Sequence, residues 1–392
     1  MVRGQKVMDM GSGVGLDLGA IGSESGSVPD SVPVLDLEHN KFAQQDYWVN
    51  QKSLIDFHKS LVDINSISRH EYEVAMVLKS FLEDQGLTVE LQQVGNNRYN
   101  VFSYIKTPSS KVLLTSHIDT VPPYIPYSVD GTKIYGRGTC DAKGSVASQV
   151  FSFLSLWNRG LIKDGDVSML FVVGEEINGD GMKVANDQFN NTSFEVGIFG
   201  EPTELKLGVG HKGIFLMTIQ VDGKASHSGY PELGISASEI MIPVLNDLLA
   251  LDLPHDDLLG PTTMNVGKVD IGVAANVVPA SANASISIRI SADLPKVVEM
   301  VKEKVDGVEH LTYEIEATIP PVYLDYKVEG FESIVLAYAT DVPNFHKSLK
   351  KRYLYGPGSI HVAHGDNEFV ERGDLVAAVS GYNKLIMESV KN

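Results

Sequence analysis

Two consecutive glutamates, Glu175 and Glu176, follow an apolar segment at residues 167–173 (VSMLFVV). An apolar run of this length is typical of a buried strand, and side chains at a strand end can turn toward one cleft. Like charges held close together are costly unless a cation compensates them. The pair therefore predicts a metal site, with a solvated loop start as the alternative for any isolated pair of glutamates.

Further candidate ligands occur in short segments that each supply an imidazole or a carboxylate. In SHIDTVPP, the spacing puts His117 and Asp119 on the same face of a strand, where the aspartate can accept the free imidazole N–H. Imidazole and carboxylate without thiolate suit a catalytic zinc site, with cobalt or manganese as alternatives. The other candidates are Asp141 in YGRGTCDAKG, Glu201 in FGEPTE, and His361 and His364 in GPGSIHVAHGDNE.

Apolar strand patterns alternate with helical patterns through the first half of the chain. This order predicts an α/β fold with a mostly parallel sheet, in which ligands collect at the carboxyl ends of strands. His117, Glu175, Glu176 and Glu201 all follow the end of a predicted strand. The helical patterns are SLIDFHKSLVDI, EYEVAMVLKSFLEDQG and SVASQVFSFLSLWNRG, and the strand patterns are KVLLTSH, DVSMLFVVGEE and VGIFGEP.

From about Gly213 the pattern changes to alternating strands, GIFLMTIQVDG and ANASISIRISAD, each followed by a helical pattern. This unit predicts a second, smaller domain at residues 211–321. Helical SIVLAYAT, strand RYLYGPG and a last helix DLVAAVSGYNKLIMESV then return to the first domain. The predicted divisions are a flexible tail at 1–45, the catalytic domain at 46–210 and 322–392, and the inserted domain between them.

The composition excludes several classes of partner. The chain of 392 residues has 50 acidic and 32 basic residues, a formal charge of −18 that disfavours nucleic acid and anionic membranes. One cysteine, Cys140, rules out an intramolecular disulfide and a thiolate cage. No signal peptide or membrane span is visible, which predicts a cytoplasmic protein. A different start that carried a signal would instead direct it to secretion or the vacuole.

The ordered motifs SHIDTVPP, YGRGTCDAKG, VGEE, FGEPT, GKASHSG and AHGDNE resemble those of the dizinc metallopeptidases. That family includes acetylornithine deacetylase, succinyl-diaminopimelate desuccinylase, aminoacylase and the glutamate carboxypeptidases. SHIDTVPPYIPYS and IYGRG look most like fungal carboxypeptidase-like members, while ATDVPNF and YGPGSIHVAHGDNE look like the acetylornithine deacetylase branch. The resemblance covers about residues 50–392 and implies a zinc-peptidase catalytic domain with an inserted α+β, ferredoxin-like dimerisation domain.

Carried over residue by residue, the resemblance implies two zinc ions per chain that share one carboxylate. The implied ligands are Asp141 as the bridge, His117 and Glu201 on one metal, and Glu176 and His364 on the other.

The same resemblance assigns the neighbouring residues. Glu175 would be the general base, and Asp119 would orient His117. His364 is preferred to His361 because the family's ligand stands four residues before a glutamate, here Glu368. Cys140 precedes the bridging ligand and is expected to face away as a packed small residue.

In the smaller domain, three residues are implied to contact the substrate. In the family this domain dimerises, which predicts a homodimer through residues 211–321. His227 of GKASHSG would reach the partner's active site to stabilise the oxyanion, and Asn276 of AANVVPA would help bind substrate. The guanidinium of Arg289 suits a substrate carboxylate, and a solvated strand face is the alternative.

The implied reaction is hydrolysis of an amide next to an amino acid with a free carboxylate. Water activated by the metals would attack, and Glu175 would pass its proton to the leaving nitrogen. The substrate would be a small peptide or an N-acyl-amino acid, so carboxypeptidase and deacylase stand first and dipeptidase next. The alternative of another class is a noncatalytic binding protein that keeps the fold.

Overall fold

The computed structural model describes residues 51–391, so the predicted tail at residues 1–45 lies outside the described residues. The helices are α1 Gln51–Val62, α2 Tyr72–Asp84, α3 Lys143–Asn158, α4 Asp180–Gln188, α5 Ala237–Leu249, α6 Leu294–Val305 and α7 Arg372–Lys391. The strands of the first half are β1 Thr88–Gly95, β2 Arg98–Tyr104, β3 Val112–His117, β4 Ser128–Asp130, β5 Lys133–Tyr135, β6 Val167–Val172, β7 Val196–Gly200 and β8 Leu207–His211. Those of the second half are β9 Gly213–Asp222, β10 His255–Asp256, β11 Gly260–Pro261, β12 Thr263–Ile271, β13 Ser281–Ile290, β14 Leu311–Ile319, β15 Val322–Tyr323, β16 Ser333–Leu336, β17 Lys351–Tyr355 and β18 Phe369–Glu371.

A six-stranded mixed sheet with the order β1-β2-β6-β3-β7-β17 forms the centre of the larger domain. Strands β6, β3, β7 and β17 pair in parallel, whereas β1 with β2 and β2 with β6 pair antiparallel. Every residue of β3, β6 and β7 is buried, as expected for parallel strands covered on both faces. The predicted α/β class is therefore confirmed, with an antiparallel hairpin added at one edge.

Alternate side chains of β3 point into two different cores. Val112 and Leu114 pack in the cluster that includes apolar residues of α1, α2, α3 and α7. Leu113 packs on the other side, with α4 and the loop that contains Phe345. Both faces of the sheet are therefore covered by protein, which leaves the strand ends for functional groups, and in α/β sheets these groups collect at the carboxyl ends.

The smaller domain is a four-stranded antiparallel sheet with the order β12-β13-β9-β14. Its chain order, strand–helix–strand–strand–helix–strand, and this strand order are those of a ferredoxin-like fold. Helices α5 and α6 pack their apolar sides on one face, where Met241, Val297 and Val301 contribute to the core. The sheet runs from Gly213 to Ile319, and the predicted limits of 211 and 321 remain a prediction.

One local expectation differs from the structure, and one element was not predicted. SIVLAYAT, expected to be helical, contains strand β16, which pairs in parallel with β8. Its apolar run is too short to form a helix that covers a core, and β-branched Ile334 and Val335 favour a strand. The β1–β2 hairpin was not predicted, because its half-exposed strand TVELQQVG lacks a clean apolar alternation.

No helix within residues 51–391 combines the length and apolar character needed to cross a membrane.

Candidate metal centre

The carboxyl ends of three adjacent parallel strands bring the predicted ligands together. His117 is the last residue of β3, Glu201 directly follows β7, and Glu176 lies in the turn after β6. Since β3 pairs with both β6 and β7, the three residues emerge side by side at one edge of the sheet.

Asp141 lies at the centre of this group, two residues before α3. Its Oδ1 is 3.0 Å from His117 Nε2, and its Oδ2 is 3.3 Å from His364 Nε2. The same nitrogen of His364 is 3.0 Å from Glu176 Oε2, and Glu201 Oε2 is 3.9 Å from His117 Nε2. The two oxygens of one carboxylate therefore face two different histidines.

Two possible metal sites follow from these positions. In each group the ligand atoms all lie within 4.8 Å of one another. The groups share one residue and are His117, Asp141 and Glu201, and Asp141, Glu176 and His364. His361, the other candidate in its segment, belongs to neither group among the described residues.

The electrostatics of the side chains indicate that cations belong there. Burial raises the pKa of Glu201 well above its usual value, and the nearby charges of Asp141 and Glu176 raise it further. Burial also raises the pKa of Glu176, whose Oε1 is buried without a hydrogen-bond partner. Carboxylates crowded in this way favour protonation unless a cation compensates them, so the donor set fits two metal ions.

Burial acts in the opposite direction on the histidines, whose pKa values are nevertheless raised by the carboxylates around them. Burial lowers the pKa of His117, but its hydrogen bond with Asp141 and the charge of Glu201 outweigh burial and raise it well above its usual value. Hydrogen bonds to Asp141 and Glu176 raise the pKa of His364 to about 10. Cations bound at the same atoms would take the place of these protons.

Glu175 lies beside the two groups and belongs to neither of them. Burial raises the pKa of its carboxyl group well above the usual value, and the charge of Glu201 adds to this effect. It also lines a cavity of about 680 Å³ together with Glu176, His364 and Arg289. A raised pKa in an accessible cleft is a common property of a general base.

Asp119 makes contacts different from those expected. The Nδ1 of His117 lies 3.0 Å from the backbone oxygen of Asp119 but 3.7 Å from its carboxylate Oδ1. The carboxylate instead accepts hydrogen bonds from the backbone N–H groups of Glu175 and Glu176, at 3.1 and 3.3 Å, and from Ser68 Oγ at 2.7 Å. The backbone carbonyl thus orients the imidazole, because the carboxylate is already occupied by the turn that contains both glutamates.

The three candidates from the smaller domain lie at two separate locations, one in the cleft and one on the exposed surface. Arg289 is half-buried on β13 and lines the cleft. His227 and Asn276 are exposed and lie next to each other, since the N–H of Ser228 donates to the carbonyl of Asn276 at 3.1 Å. Neither is among the described residues that line the cleft of their own chain.

Other residues near the site were not nominated from the sequence. Asp341 lines the cleft beside Glu175, and its buried Oδ2 has no hydrogen-bond partner. Burial raises the pKa of Asp341 to about 6. ATDVPNF contains Asp341, but a loop aspartate without a strand pattern gives no sign of its position.

Cys140 was expected to face away from the ligands as a packed small residue. Its thiol is buried and donates to the backbone oxygen of Ser359 at 3.4 Å.

Comparison with known proteins identifies the family of this chain. Residues 209–310 match the family described as a peptidase dimerisation domain. A Peptidase M20 domain-containing protein of Schizosaccharomyces pombe is 48% identical over 343 residues, which cover 86% of this chain and 85% of that protein. The chain belongs to the M20 peptidase family. A protein of Aspergillus flavus named probable carboxypeptidase is 42% identical over 379 residues, which cover 86% of this chain and 88% of that protein.

Solved structures agree with this M20 peptidase in fold. A tripeptidase of Staphylococcus aureus has a TM-score of 0.74 at 22% identity and covers 88% of this chain and 100% of its own. An M20 family metallo-carboxypeptidase of Sulfolobus solfataricus has a TM-score of 0.69 at 17% identity. The match covers 87% of this chain and 99% of the solved chain. The predicted family and fold class are therefore confirmed, and the M20 peptidase is a hydrolase.

Proposed function

We propose that this M20 peptidase is a two-metal amide hydrolase that acts next to an amino acid with a free carboxylate, as a carboxypeptidase or an N-acyl-amino-acid deacylase. The observation that supports this proposal most strongly is the pair of ligand groups that share Asp141 and lie beside Glu175. The probable carboxypeptidase relative of Aspergillus flavus favours the first of these activities.

Zinc is the proposed metal, at two ions per chain, because the donors are two imidazoles and three carboxylates. Cobalt and manganese accept the same donors and remain alternatives. One ion would be held by His117, Asp141 and Glu201, and the other by Asp141, Glu176 and His364. When bound, such ions polarise a substrate carbonyl and lower the pKa of an attacking water.

Glu175 would move the proton during the reaction. Its carboxylate lines the cleft next to both ligand groups, so it can take a proton from the attacking water and deliver it to the leaving nitrogen. The N–H of Glu175 donates to Asp119 at 3.1 Å, which supports a fixed backbone position for this role.

Arg289 would bind the free carboxylate of the substrate. It is half-buried and lines the same cleft, and burial lowers the pKa of its guanidinium, which a bound carboxylate would compensate. The cavity of about 680 Å³ is large enough for a dipeptide or an acylated amino acid.

His227 and Asn276 would act on a second copy of the chain. Both are exposed in the domain that matches the peptidase dimerisation family. A homodimer that places His227 over the partner's cleft would supply a donor to the oxyanion that forms during hydrolysis.

The proposal is tested with zinc-loaded protein and four kinds of substrate: N-acetyl-ornithine, other N-acetyl amino acids, a blocked dipeptide with a free C-terminus, and an unblocked dipeptide. We expect turnover of an N-acetyl amino acid or of the blocked dipeptide that is lost on chelation, whereas a preference for the unblocked dipeptide would indicate a dipeptidase. Glu175→Gln should reduce kcat by about 10² to 10⁴-fold while two metal ions still bind, since a general base contributes this much.

Two results would decide against it. Binding of two ions without cleavage of any substrate would favour the noncatalytic binding protein. Full activity of Glu175→Gln would remove Glu175 from the reaction.

A further inference from the structure

Glu368 is a buried carboxylate directed at the turn that precedes α3. It is 1% exposed, and its Oε1 accepts hydrogen bonds from three backbone N–H groups. The donors are Gly138 at 2.9 Å, Cys140 at 3.1 Å and Asp141 at 3.1 Å. A single carboxylate oxygen thus fixes the backbone that ends at the shared ligand.

Arg137 connects the same carboxylate to the segment of His364. Its Nη1 donates to Glu368 Oε2 at 2.7 Å and to the carbonyl of Gly365 at 3.3 Å. Its Nη2 donates to the carbonyl of His364, also at 3.3 Å. His364 has a φ of +63°, in the left-handed region that a non-glycine residue rarely occupies, so its backbone needs such external support.

We propose that Glu368 and Arg137 are positioning residues that set the spacing between Asp141 and His364. The inference rests on the proposed two-metal site and concerns how its ligands are held. Neither residue is in the two ligand groups, and both act through the backbone. Because Glu368 holds Asp141, it affects both metal sites, whereas the carbonyl contacts of Arg137 affect the site of His364.

This division gives each substitution a different outcome. Glu368→Ala removes both carboxylate oxygens, so the N–H groups of Gly138, Cys140 and Asp141 lose their acceptor and Arg137 loses its ion pair. Arg137→Lys keeps the positive charge near Glu368 but cannot form the fork that reaches the carbonyls of His364 and Gly365.

The measurement is zinc affinity and stoichiometry by competition with a chromophoric chelator, together with backbone hydrogen exchange of the metal-free proteins. Glu368→Ala should weaken the binding of both ions by about 10 to 100-fold, the usual effect of losing a residue that holds a metal ligand in place. It should also speed exchange at Gly138, Cys140 and Asp141. Arg137→Lys should weaken the binding of the ion held by Glu176 and His364 by a similar factor and leave the affinity for the other ion unchanged.

Leu385→Ala is the matched control for a general loss of stability. Leu385 is buried in α7, in the apolar core that also contains Val112 and Leu114 of β3, and it is outside the two ligand groups. It should lower the unfolding midpoint while both ions bind as in the wild type.

Wild-type zinc affinity and exchange in Glu368→Ala would overturn the proposal, as would an equal effect of Leu385→Ala on zinc affinity. Failure of the proposed function is seen separately, as wild-type protein that binds two ions but cleaves no substrate. In that case the zinc and exchange results still decide the positioning roles.

Discussion

The turn after β6 is held from outside by one carboxylate. Asp119 accepts the N–H groups of Glu175 and Glu176 and the hydroxyl of Ser68. It therefore fixes the proposed base and one proposed ligand at the same time. The imidazole of His117 depends instead on the carbonyl of Asp119, which a side-chain substitution leaves in place.

Asp119→Asn tests this arrangement. An asparagine amide replaces one acceptor with a donor, so at least one N–H of the turn should lose its partner. We expect about 10 to 100-fold weaker binding of the ion held by Glu176 and His364, with the other ion less affected. Chelator competition measures both affinities. Ser68→Ala, which removes one of the three contacts, should have a smaller effect, and equal loss of both ions in Asp119→Asn would contradict the assignment.

Residue types and their places at strand ends are visible in the sequence, which is why the ligand set and Glu175 could be nominated there. The contacts of Asp119 and Glu368 could not, because each depends on where a carboxylate points in three dimensions. The H-x-D spacing favours a side-chain contact, but the N–H groups of a turn 56 and 57 residues away take that carboxylate.

At the scale of elements, α1 packs against the turn that contains the shared ligand. His58 of α1 is fully buried, and its Nε2 lies 3.1 Å from the carbonyl of Thr139. Burial lowers the pKa of His58 to about 4, from 6.5 in the unfolded chain, while the hydrogen bond to Thr139 opposes this shift. The unfolded chain therefore binds more protons than the folded protein between pH 6.5 and about 4.

Stability should fall as the pH decreases through that window. Between pH 7.5 and 5, His58 should lower the free energy of unfolding by about 2 kcal/mol, which His58→Gln should abolish because glutamine does not titrate. Urea unfolding of the metal-free proteins at both pH values measures the difference. Identical pH dependence in the two proteins would contradict a neutral buried His58.

The elements themselves were predictable where an apolar pattern was long. The segments of α1, α2 and α3 and the central strands were identified, since their cores require several buried residues at a regular spacing. β16 was wrongly expected to be helical, because its four residues gain their structure from pairing with β8, a contact that local sequence does not contain.

At the scale of the whole molecule, the proposed roles of His227 and Asn276 require a homodimer, because neither residue lines the cleft of its own chain. Mixing two inactive variants tests this division. Glu175→Gln damages the cleft of its own chain, and His227→Ala damages the partner's. Equal amounts that exchange subunits should recover about a quarter of wild-type activity, because half of the dimers are mixed and each has one intact site.

Each variant alone, treated in the same way, is the control and should remain inactive. The rates are measured on the substrate that the wild type prefers. Full activity of His227→Ala alone, or no recovery in a mixture verified to contain mixed dimers, would contradict a site shared between subunits.

The most direct measurement of the central claim is anomalous diffraction at the zinc edge from crystals of the zinc-loaded protein. We predict two peaks on either side of Asp141, each about 2.0 to 2.2 Å from its nitrogen and oxygen ligands. One should lie against His117 and Glu201, and the other against Glu176 and His364. A single peak, or peaks that do not share Asp141, would contradict the two-metal site.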